Sequence, residues 1–346
     1  MTEQEMASDT ADYSDWMAEL PPELLTVPLW NVALPGSHDC MSYDLDINSA
    51  ILEPDSLTRF SKIGFLRKVV CKWATTQVRE ALNIFEAGTD ACLPLLQDRS
   101  IIDQLNAGAR YFDLRIARQM DDPNPTRLYF YHGLRTHTDV ETVLEDINGW
   151  ATLHPKEILI LSFSHFKNFE KNPVGLHLHL LQFIETLFGP KLIYRKCCPT
   201  MELCWNQKRN VLIAYDFPGQ IDPKAHPNIC GKIPYYYGNT MNLVQVESKI
   251  LQTLESQKQK NGFFVCGLNL TLPEDASVIK YILKPFNSLA KVIEQSLPEL
   301  VKFMGQRAEG GRVCIFASDL VTHDDFVPTV IKLNTSKYVS NTMNVA

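Results

Sequence analysis

Residues 30–39 have the sequence WNVALPGSHD, in which a short apolar run passes through a Pro-Gly break into two ionisable residues. The apolar part, Trp30–Leu34, has the length of a strand and is bounded by turn-forming residues. His38 and Asp39 therefore follow the carboxyl end of a predicted strand. In parallel α/β proteins, this is where functional side chains gather.

The same pattern of a short apolar run followed by a longer helical stretch recurs along the chain. The further predicted strands are Arg110–Ile116, Leu128–Tyr131, Glu157–Phe163, Asn210–Tyr215, Ile233–Tyr237, Phe263–Leu268 and Val313–Ala317. The predicted helices include Val140–Leu153, Leu176–Phe188, Leu243–Gln259 and Ala276–Phe303. Eight strands that alternate with helices predict an α/β TIM (β/α)8 barrel. A two-domain doubly wound sheet is the competing layout, but no Pro/Gly/Ser-rich linker divides the chain.

Length and composition agree with a single large domain. The chain has 346 residues, of which 45% are hydrophobic and 21% charged, so it can bury a sizeable core. We predict a flexible amino-terminal arm at 1–18, the barrel at 19–335 and a carboxyl-terminal tail at 336–346.

The overall charge excludes some function classes. The net charge of −7 argues against nucleic acid as a partner, because its backbone demands a basic surface. An anionic substrate would need a local cationic site. No run of about 18 apolar residues predicts a membrane span. An acidic amino terminus and nine cysteines without disulfide-like spacing indicate reduced thiols and a cytoplasmic location.

Ionisable and polar residues follow or interrupt several of the predicted strands. They are His38, Asp39, Asp113, Arg115, His132, Ser164, His165, Asp216 and Asp319. In a parallel barrel these positions meet at one mouth. Taken singly, a histidine after a strand is usually an ordinary loop residue, and an Asp-x-Arg pair is usually structural. Their joint placement at successive strands favours a functional site.

This collection suits the cleavage of a phosphodiester. One imidazole can accept a proton from an attacking hydroxyl while the other donates one to the leaving oxygen. An arginine can neutralise a phosphate oxygen, and carboxylates can orient the histidines. The set lacks an obvious covalent nucleophile, which an attacking hydroxyl within the substrate would replace. It also lacks the carboxylate cluster that holds a hard cation.

The motifs resemble the X-box of phosphatidylinositol-specific phospholipases C, and above all the small eukaryotic X-domain-containing proteins. The matching stretches are Leu34-Pro35-Gly36-Ser37-His38-Asp39, Tyr111-Phe112-Asp113-Leu114-Arg115, Tyr131-His132-Gly133 and Ala317-Ser318-Asp319-Leu320. The resemblance extends from about Trp16 to Asn334. It implies an imperfect TIM barrel in one domain.

The resemblance also implies a mechanism in two steps. The inositol 2-hydroxyl attacks phosphorus, diacylglycerol leaves, and water opens the cyclic phosphate. Motif matching makes His38 the general base and His132 the general acid. It assigns Asp319 to support His38 and Asp113 to support His132.

The same motifs assign roles to two further residues. Asp39 would help to bind and polarise the leaving side, and Arg115 would hold the phosphate.

The chain departs from the family pattern at positions that bear on metal and sugar binding. Calcium-dependent animal enzymes have acidic ligands where this chain has Arg115 and Ser164. The arrangement instead resembles the metal-independent bacterial enzymes, so we expect neither a metal nor a cofactor. Those enzymes use a lysine for the sugar where Ser164 or His165 stands, so the resemblance does not supply the sugar contact.

The stretch at 56–77 is a candidate membrane contact. It carries five lysines and arginines and no acidic residue, with apolar residues at helical spacing. A basic amphipathic helix of this kind could lie on an anionic membrane. An ordinary barrel helix with solvated lysines is the alternative.

We expect a phosphoric diester hydrolase that cleaves a phosphoinositide or a related phospholipid. The alternative is a barrel with weak catalysis that binds phosphoinositides or serves as a scaffold.

Overall fold

A single sheet organises the fold. The computed structural model of the chain describes residues 12–46, 48–50, 52, 97–195, 198–271, 287–307 and 315–343. The strands among them are β1 (Leu34–Ser37), β2 (Tyr111–Arg118), β3 (Leu128–His132), β4 (Leu134–Asp139), β5 (Leu159–Lys167), β6 (Val211–Tyr215), β7 (Ile229–Gly231), β8 (Tyr235–Tyr236), β9 (Val265–Gly267) and β10 (Ile315–Ser318). The helices are α1 (Ile101–Asn106), α2 (Val140–Leu153), α3 (Pro173–Phe188), α4 (Met201–Asn206), α5 (Leu243–Gln257), α6 (Asn287–Arg307) and α7 (Phe326–Met343).

Eight of the strands are parallel and form a curled sheet in the order β7-β6-β5-β2-β1-β10-β9-β8. Because β1 pairs with both β2 and β10, the first and last strands of the chain lie side by side in the sheet. The two edge strands, β7 and β8, do not pair with each other. The fold is therefore an α/β TIM-like barrel that is open at one seam, which confirms the predicted fold class.

Three of the strands, β3, β4 and β7, differ from the sequence prediction, which did not include β4. The run at 128–131 forms β3, but it pairs antiparallel with β2 and then with β4. Only nine residues separate β2 from β3, whereas a parallel crossover needs a dozen or more. The chain must therefore turn back. The eighth parallel strand is instead β7, whose three residues are too short to show a sequence pattern.

Several of the helices match the sequence prediction. Helix α2 has the predicted bounds, and the side chain of Asp139 caps it by accepting a hydrogen bond from the Thr142 amide. Helix α3 begins three residues before the predicted start because Pro173 occupies its first turn, where a missing N–H is tolerated. Part of the predicted helix 276–303 falls in α6, and its residues 276–286 lie outside the described residues.

The amino-terminal segment joins the barrel earlier than the sequence predicts. Trp16 and Met17, which were assigned to the flexible arm, are buried. Glu157, just before β5, accepts hydrogen bonds from the Met17 and Ala18 amides and forms an ion pair of 2.6 Å with Arg110. The described part of the arm is thus fixed to the amino-terminal ends of the strands.

Two sequence predictions concern membranes. Among the described residues, no helix is long and apolar enough to cross a bilayer. The basic stretch at 56–77 lies outside the described residues.

Candidate active site

The strand register brings the ionisable residues into two rows at the carboxyl ends of the strands. In the inner row, Ser37 of β1 pairs with Phe112 of β2 and Ser318 of β10. The ionisable residues one position further along these strands are His38, Asp113 and Asp319. The outer row begins with Arg115, which pairs with Ser164. It continues across β6 and β7 to the residues that follow those strands, Asp216 and Lys232.

Two partners orient the His38 ring. Its Nδ1 lies 2.7 Å from Oδ1 of Asp319, and its Nε2 lies 3.0 Å from Nη2 of Arg115. A guanidinium has only donors, so Nε2 accepts this bond and Nδ1 donates to Asp319. The lone pair of Nε2 therefore faces the site, as a general base requires.

Asp39 lies between the two histidines. Its Oδ2 is 3.5 Å from Nε2 of His38 and 3.4 Å from Nε2 of His132. Its backbone has φ of 44°, a left-handed conformation that aspartate tolerates better than most residues. This turn directs the Asp39 side chain into the site, where it is almost fully buried.

Arg115 supplies the cationic centre that an anionic substrate needs. Its Nε lies 2.5 Å from Oδ1 of Asp39, and its Nη2 lies 3.0 Å from Oδ2 of Asp113. Burial lowers the pKa of Arg115, but Asp113 and Asp39 outweigh that effect and raise it, so the guanidinium keeps its charge. Because 23% of its side chain is exposed, it remains open to a phosphate from the mouth.

His132 reaches the site from the β3–β4 hairpin rather than from a barrel strand. The hairpin folds back along β2, so the end of β3 returns towards the level of Arg115. The carboxylate beside His132 is that of Asp39. Asp113, which motif matching assigned to His132, hydrogen-bonds instead to Arg115. That assignment is corrected by the geometry, because within the described residues the Asp113 carboxylate contacts Arg115 and Ser164, and the ion pair of His132 is with Asp39.

The pKa values of the two histidines shift in opposite directions. Burial lowers the pKa of His38, but the negative charges of Asp39 and Asp319 outweigh it, so the pKa is raised. Burial also lowers the pKa of His132, and there the negative charges of Asp39 and Asp319 do not compensate for burial and the positive charges of Arg115 and His38. The free site thus favours a proton on His38 over one on His132.

The remaining predicted residues divide between the interior and the rim. Ser164 is buried, with Oγ 3.5 Å from Oδ1 of Asp113. His165 is exposed and has φ of 52°. Asp216 forms an ion pair of 2.7 Å with Lys232, and both are partly exposed. Ser164 is thus inside the site, whereas His165 and Asp216 lie at its edge.

The sequence analysis missed residues that support the site. The side-chain amide of Gln97 donates hydrogen bonds to the backbone carbonyls of His38 and Ser318, each at 3.0 Å. It thereby joins the ends of β1 and β10. The Tyr235 ring lies 5.8 Å from the His38 ring, and its hydroxyl donates to Asn269. A buried glutamine has no local sequence signal that would single it out.

The donor set does not favour a metal ion. Ligand atoms of His38, Asp39 and Asp113 lie within 4.8 Å of one another, as in a three-ligand site. However, Arg115 already contacts both carboxylates of this group. A second cation there would be repelled by the guanidinium at short range. The geometry therefore agrees with a site whose positive charge comes from arginine.

Comparison with known proteins identifies the family. No family model matches the chain. Human "PI-PLC X domain-containing protein 1" is 33% identical over 328 residues, which cover 92% of each chain. Mouse "PI-PLC X domain-containing protein 3" is 30% identical and covers 95% of each chain.

Solved structures of bacterial enzymes share the fold. Phosphatidylinositol-specific phospholipase C from Staphylococcus aureus matches with a TM-score of 0.58 at 14% identity, over 94% of this chain and 98% of that one. The phosphatidylinositol-specific phospholipase C from Listeria monocytogenes matches with a TM-score of 0.57 at 19% identity, over 93% and 98%. At these identities the likeness establishes the barrel. From the curated relatives, the chain belongs to the PI-PLC X domain-containing protein family.

Proposed function

We propose that the protein is a calcium-independent phosphoric diester hydrolase of the phospholipase C type, acting on a phosphoinositide. One observation carries the proposal. The Nε2 atoms of His38 and His132 both lie within 3.5 Å of the same oxygen of Asp39, next to the Arg115 guanidinium. A phosphate group bound to Arg115 can reach both imidazoles, which is the arrangement that in-line acid–base cleavage needs.

In the first step, the inositol 2-hydroxyl oxygen forms a bond to phosphorus while the bond to the diacylglycerol oxygen breaks. His38 accepts the hydroxyl proton at Nε2, and His132 donates a proton to the leaving oxygen. The products are diacylglycerol and a cyclic inositol phosphate. In the second step, the oxygen of a water molecule forms a bond to phosphorus while the ring P–O bond breaks. His132 accepts the proton from this water, and His38 returns its proton to the released 2-hydroxyl oxygen.

Four residues beside this centre support a polyol head group. The Asp216 carboxylate can accept hydrogen bonds from ring hydroxyls, and the Lys232 ammonium can donate to them. Because the two charges form an ion pair, this part of the rim offers little net attraction for a further phosphate. Ser164 and the exposed His165 complete the group of proposed substrate contacts. We therefore favour a head group without additional phosphates near the rim.

One observation favours the alternative, a barrel that binds phosphoinositides with weak turnover. The lowered pKa of His132 reduces the fraction of free protein that carries the proton needed by the leaving group. Binding alone requires only Arg115 and the rim. Retained binding of inositol phosphate without release of product would favour this reading.

The test is incubation of the purified protein with a panel of phospholipids in the presence of a calcium chelator, followed by analysis for cyclic inositol phosphate. We expect release from phosphatidylinositol. His38→Ala and His132→Ala should each lower the rate about 10²-fold or more, because each removes a proton-transfer group. His179→Ala, which alters an exposed histidine paired with Glu141, is the matched control. Turnover that requires calcium, or that survives either substitution, would contradict the proposal.

A further inference from the structure

Within the described residues, the strand pairing between the barrel and the hairpin that carries His132 is at the end of the hairpin far from its turn. β3 pairs with β2 through Leu128, Tyr129 and Phe130, and the register ends there. His132 lies beyond this ladder, next to the turn at Gly133, where φ is 72°. Its position must therefore be fixed by contacts other than the pairing with β2.

Those contacts come from the segment that follows the His38 loop. We call residues 44–52 the strap, of which 47 and 51 lie outside the described residues. Leu45 bridges Thr136 of β4. The Asp46 amide donates to the Arg135 carbonyl at 2.7 Å, and the Leu52 amide donates to the Gly133 carbonyl at 2.8 Å. The strap thus runs along the free edge of the hairpin as far as its turn.

The side chain of Arg135 ties the hairpin to the strap. Its Nη2 lies 2.8 Å from Oδ2 of Asp46, and its Nη1 donates to the Thr136 carbonyl at 2.6 Å. The guanidinium carbon lies 4.6 Å from the centre of the Tyr129 ring. The side chains of Arg135 and Asp46 are 20% and 10% exposed. A fixed, mostly buried pair of this kind loses much more when one partner is removed than a surface pair does.

We propose that Arg135 is a positioning residue, which holds the His132 imidazole at Asp39 by locking the hairpin to the strap through Asp46. Chain connectivity supports this role, because the strap begins five residues after Asp39. The Asp46–Arg135 pair therefore links the loop of one histidine to the hairpin of the other. The proposal rests on the proposed function, in which His132 is the general acid.

The test uses the dependence of rate on the leaving group. A displaced general acid slows the release of an alkoxide, which needs a proton, but hardly affects the release of a nitrophenolate, which does not. Arg135→Gln and Asp46→Asn should each lower kcat about 10-fold or more for an alkyl inositol phosphodiester, since small misplacements of catalytic groups are costly. The nitrophenyl ester should react at nearly the wild-type rate, and KM should change little for either ester.

Two controls separate positioning from general damage. Arg127→Gln removes an exposed arginine next to the base of the same hairpin, paired loosely with Asp122, and should leave both rates unchanged. In a His132→Ala background, Arg135→Gln should have no further effect on the alkyl ester. Equal losses on both esters, or no loss on either, would overturn the proposal.

A readout without turnover keeps the proposal independent of the activity itself. In histidine-labelled protein, NMR should show that Arg135→Gln moves the His132 ring resonances and leaves those of His38 in place. Unmoved His132 resonances in the folded variant would overturn the positioning role. If the wild-type protein cleaves neither ester, the proposed function fails, and the NMR result still decides how His132 is held.

Discussion

At the scale of single residues, the site depends on how three carboxylates are shared among three cationic or titratable groups. Asp319 orients His38, Asp113 neutralises Arg115, and Asp39 contacts Arg115 and both histidines. His132 therefore has no carboxylate of its own. This explains why its pKa is lowered while that of His38 is raised.

A bound phosphate should change this balance. Burial and the Arg115 charge lower the pKa of His132 in the free site. An anion on Arg115 adds a negative charge beside the ring, which favours the imidazolium, so inorganic phosphate should raise this pKa. An NMR titration of labelled histidines with and without phosphate measures it, with His179 as the internal control. A pKa of His132 that falls or stays constant on phosphate binding would exclude Arg115 as the anion site.

The rim makes a separate prediction about the head group. Asp216→Asn removes the carboxylate that neutralises Lys232, so the free ammonium should attract an additional phosphomonoester. The ratio of turnover with a phosphorylated head group to turnover with the unphosphorylated one should rise about 3-fold or more. Glu145→Gln removes the same charge from an exposed position on α2 and should leave the ratio unchanged. If the ratio is unaltered in Asp216→Asn, the head group does not bind next to Asp216 and Lys232.

At the scale of elements, the hairpin β3–β4 differs from the other units of the barrel. It brings a catalytic candidate into the site from outside the parallel sheet, and it does so because the connection after β2 is too short for a crossover. By contrast, β5, β6 and β7 extend the outer row in strict register. The site therefore combines a rigid wall, given by the strands, with a hairpin that needs the strap to hold it.

The basic stretch at 56–77 yields a prediction from its sequence. If it docks on lipid, Lys68→Glu together with Lys72→Glu should weaken binding to anionic vesicles, because each lysine near the surface contributes about 1 kcal/mol. Sedimentation with vesicles at two salt concentrations measures this, since salt screens such charges. Cleavage of a soluble diester should not change. Lys258→Glu with Lys260→Glu, two exposed lysines between α5 and β9, is the matched control. If the double variant binds anionic vesicles as strongly as the wild type does, only the alternative of an ordinary barrel helix would remain.

At the scale of the whole molecule, the two ends of the barrel have different tasks. The carboxyl ends of the strands hold the candidate active site, and the amino-terminal ends hold the buried pair of Arg110 and Glu157. Arg110 also donates to the carbonyls of Tyr13 and Ser14, so this pair fixes the amino-terminal segment. The contacts that fix the amino-terminal segment are thereby separated in space from the candidate active site.

This separation predicts the effect of Glu157→Gln. The change leaves the Arg110 charge buried without a counter-charge, so the free energy of unfolding should fall by about 3–5 kcal/mol. Denaturant unfolding measures the loss, with Glu255→Gln at an exposed site of α5 as the control. The kcat of the remaining folded protein should match the wild type. If Glu157→Gln is as stable as the wild type, the backbone carbonyls that accept hydrogen bonds from Arg110 are sufficient to stabilise its buried charge.

Much of the fold followed from local pattern alone. Short apolar runs between helical stretches predicted the α/β barrel, and the polar residues after β1 and β10 predicted two members of the site, His38 and Asp319. These signals are local, because strand and helix periods are set by neighbouring residues. The absence of a parallel crossover after β2 was also encoded in the nine-residue spacing, but it was not recognised from the sequence.

The pairings within the site were decided by the tertiary structure. His38 and Asp319 are 281 positions apart, and they meet only because β1 lies between β2 and β10 in the curled sheet. The placement of His132 beside Asp39, rather than Asp113, depends on the fold-back of the hairpin. The sequence determined which chemical groups the protein has and which strands present them. Their partners were set by the strand order and the curling of the sheet, because contacts between distant segments depend on how all the intervening strands pack.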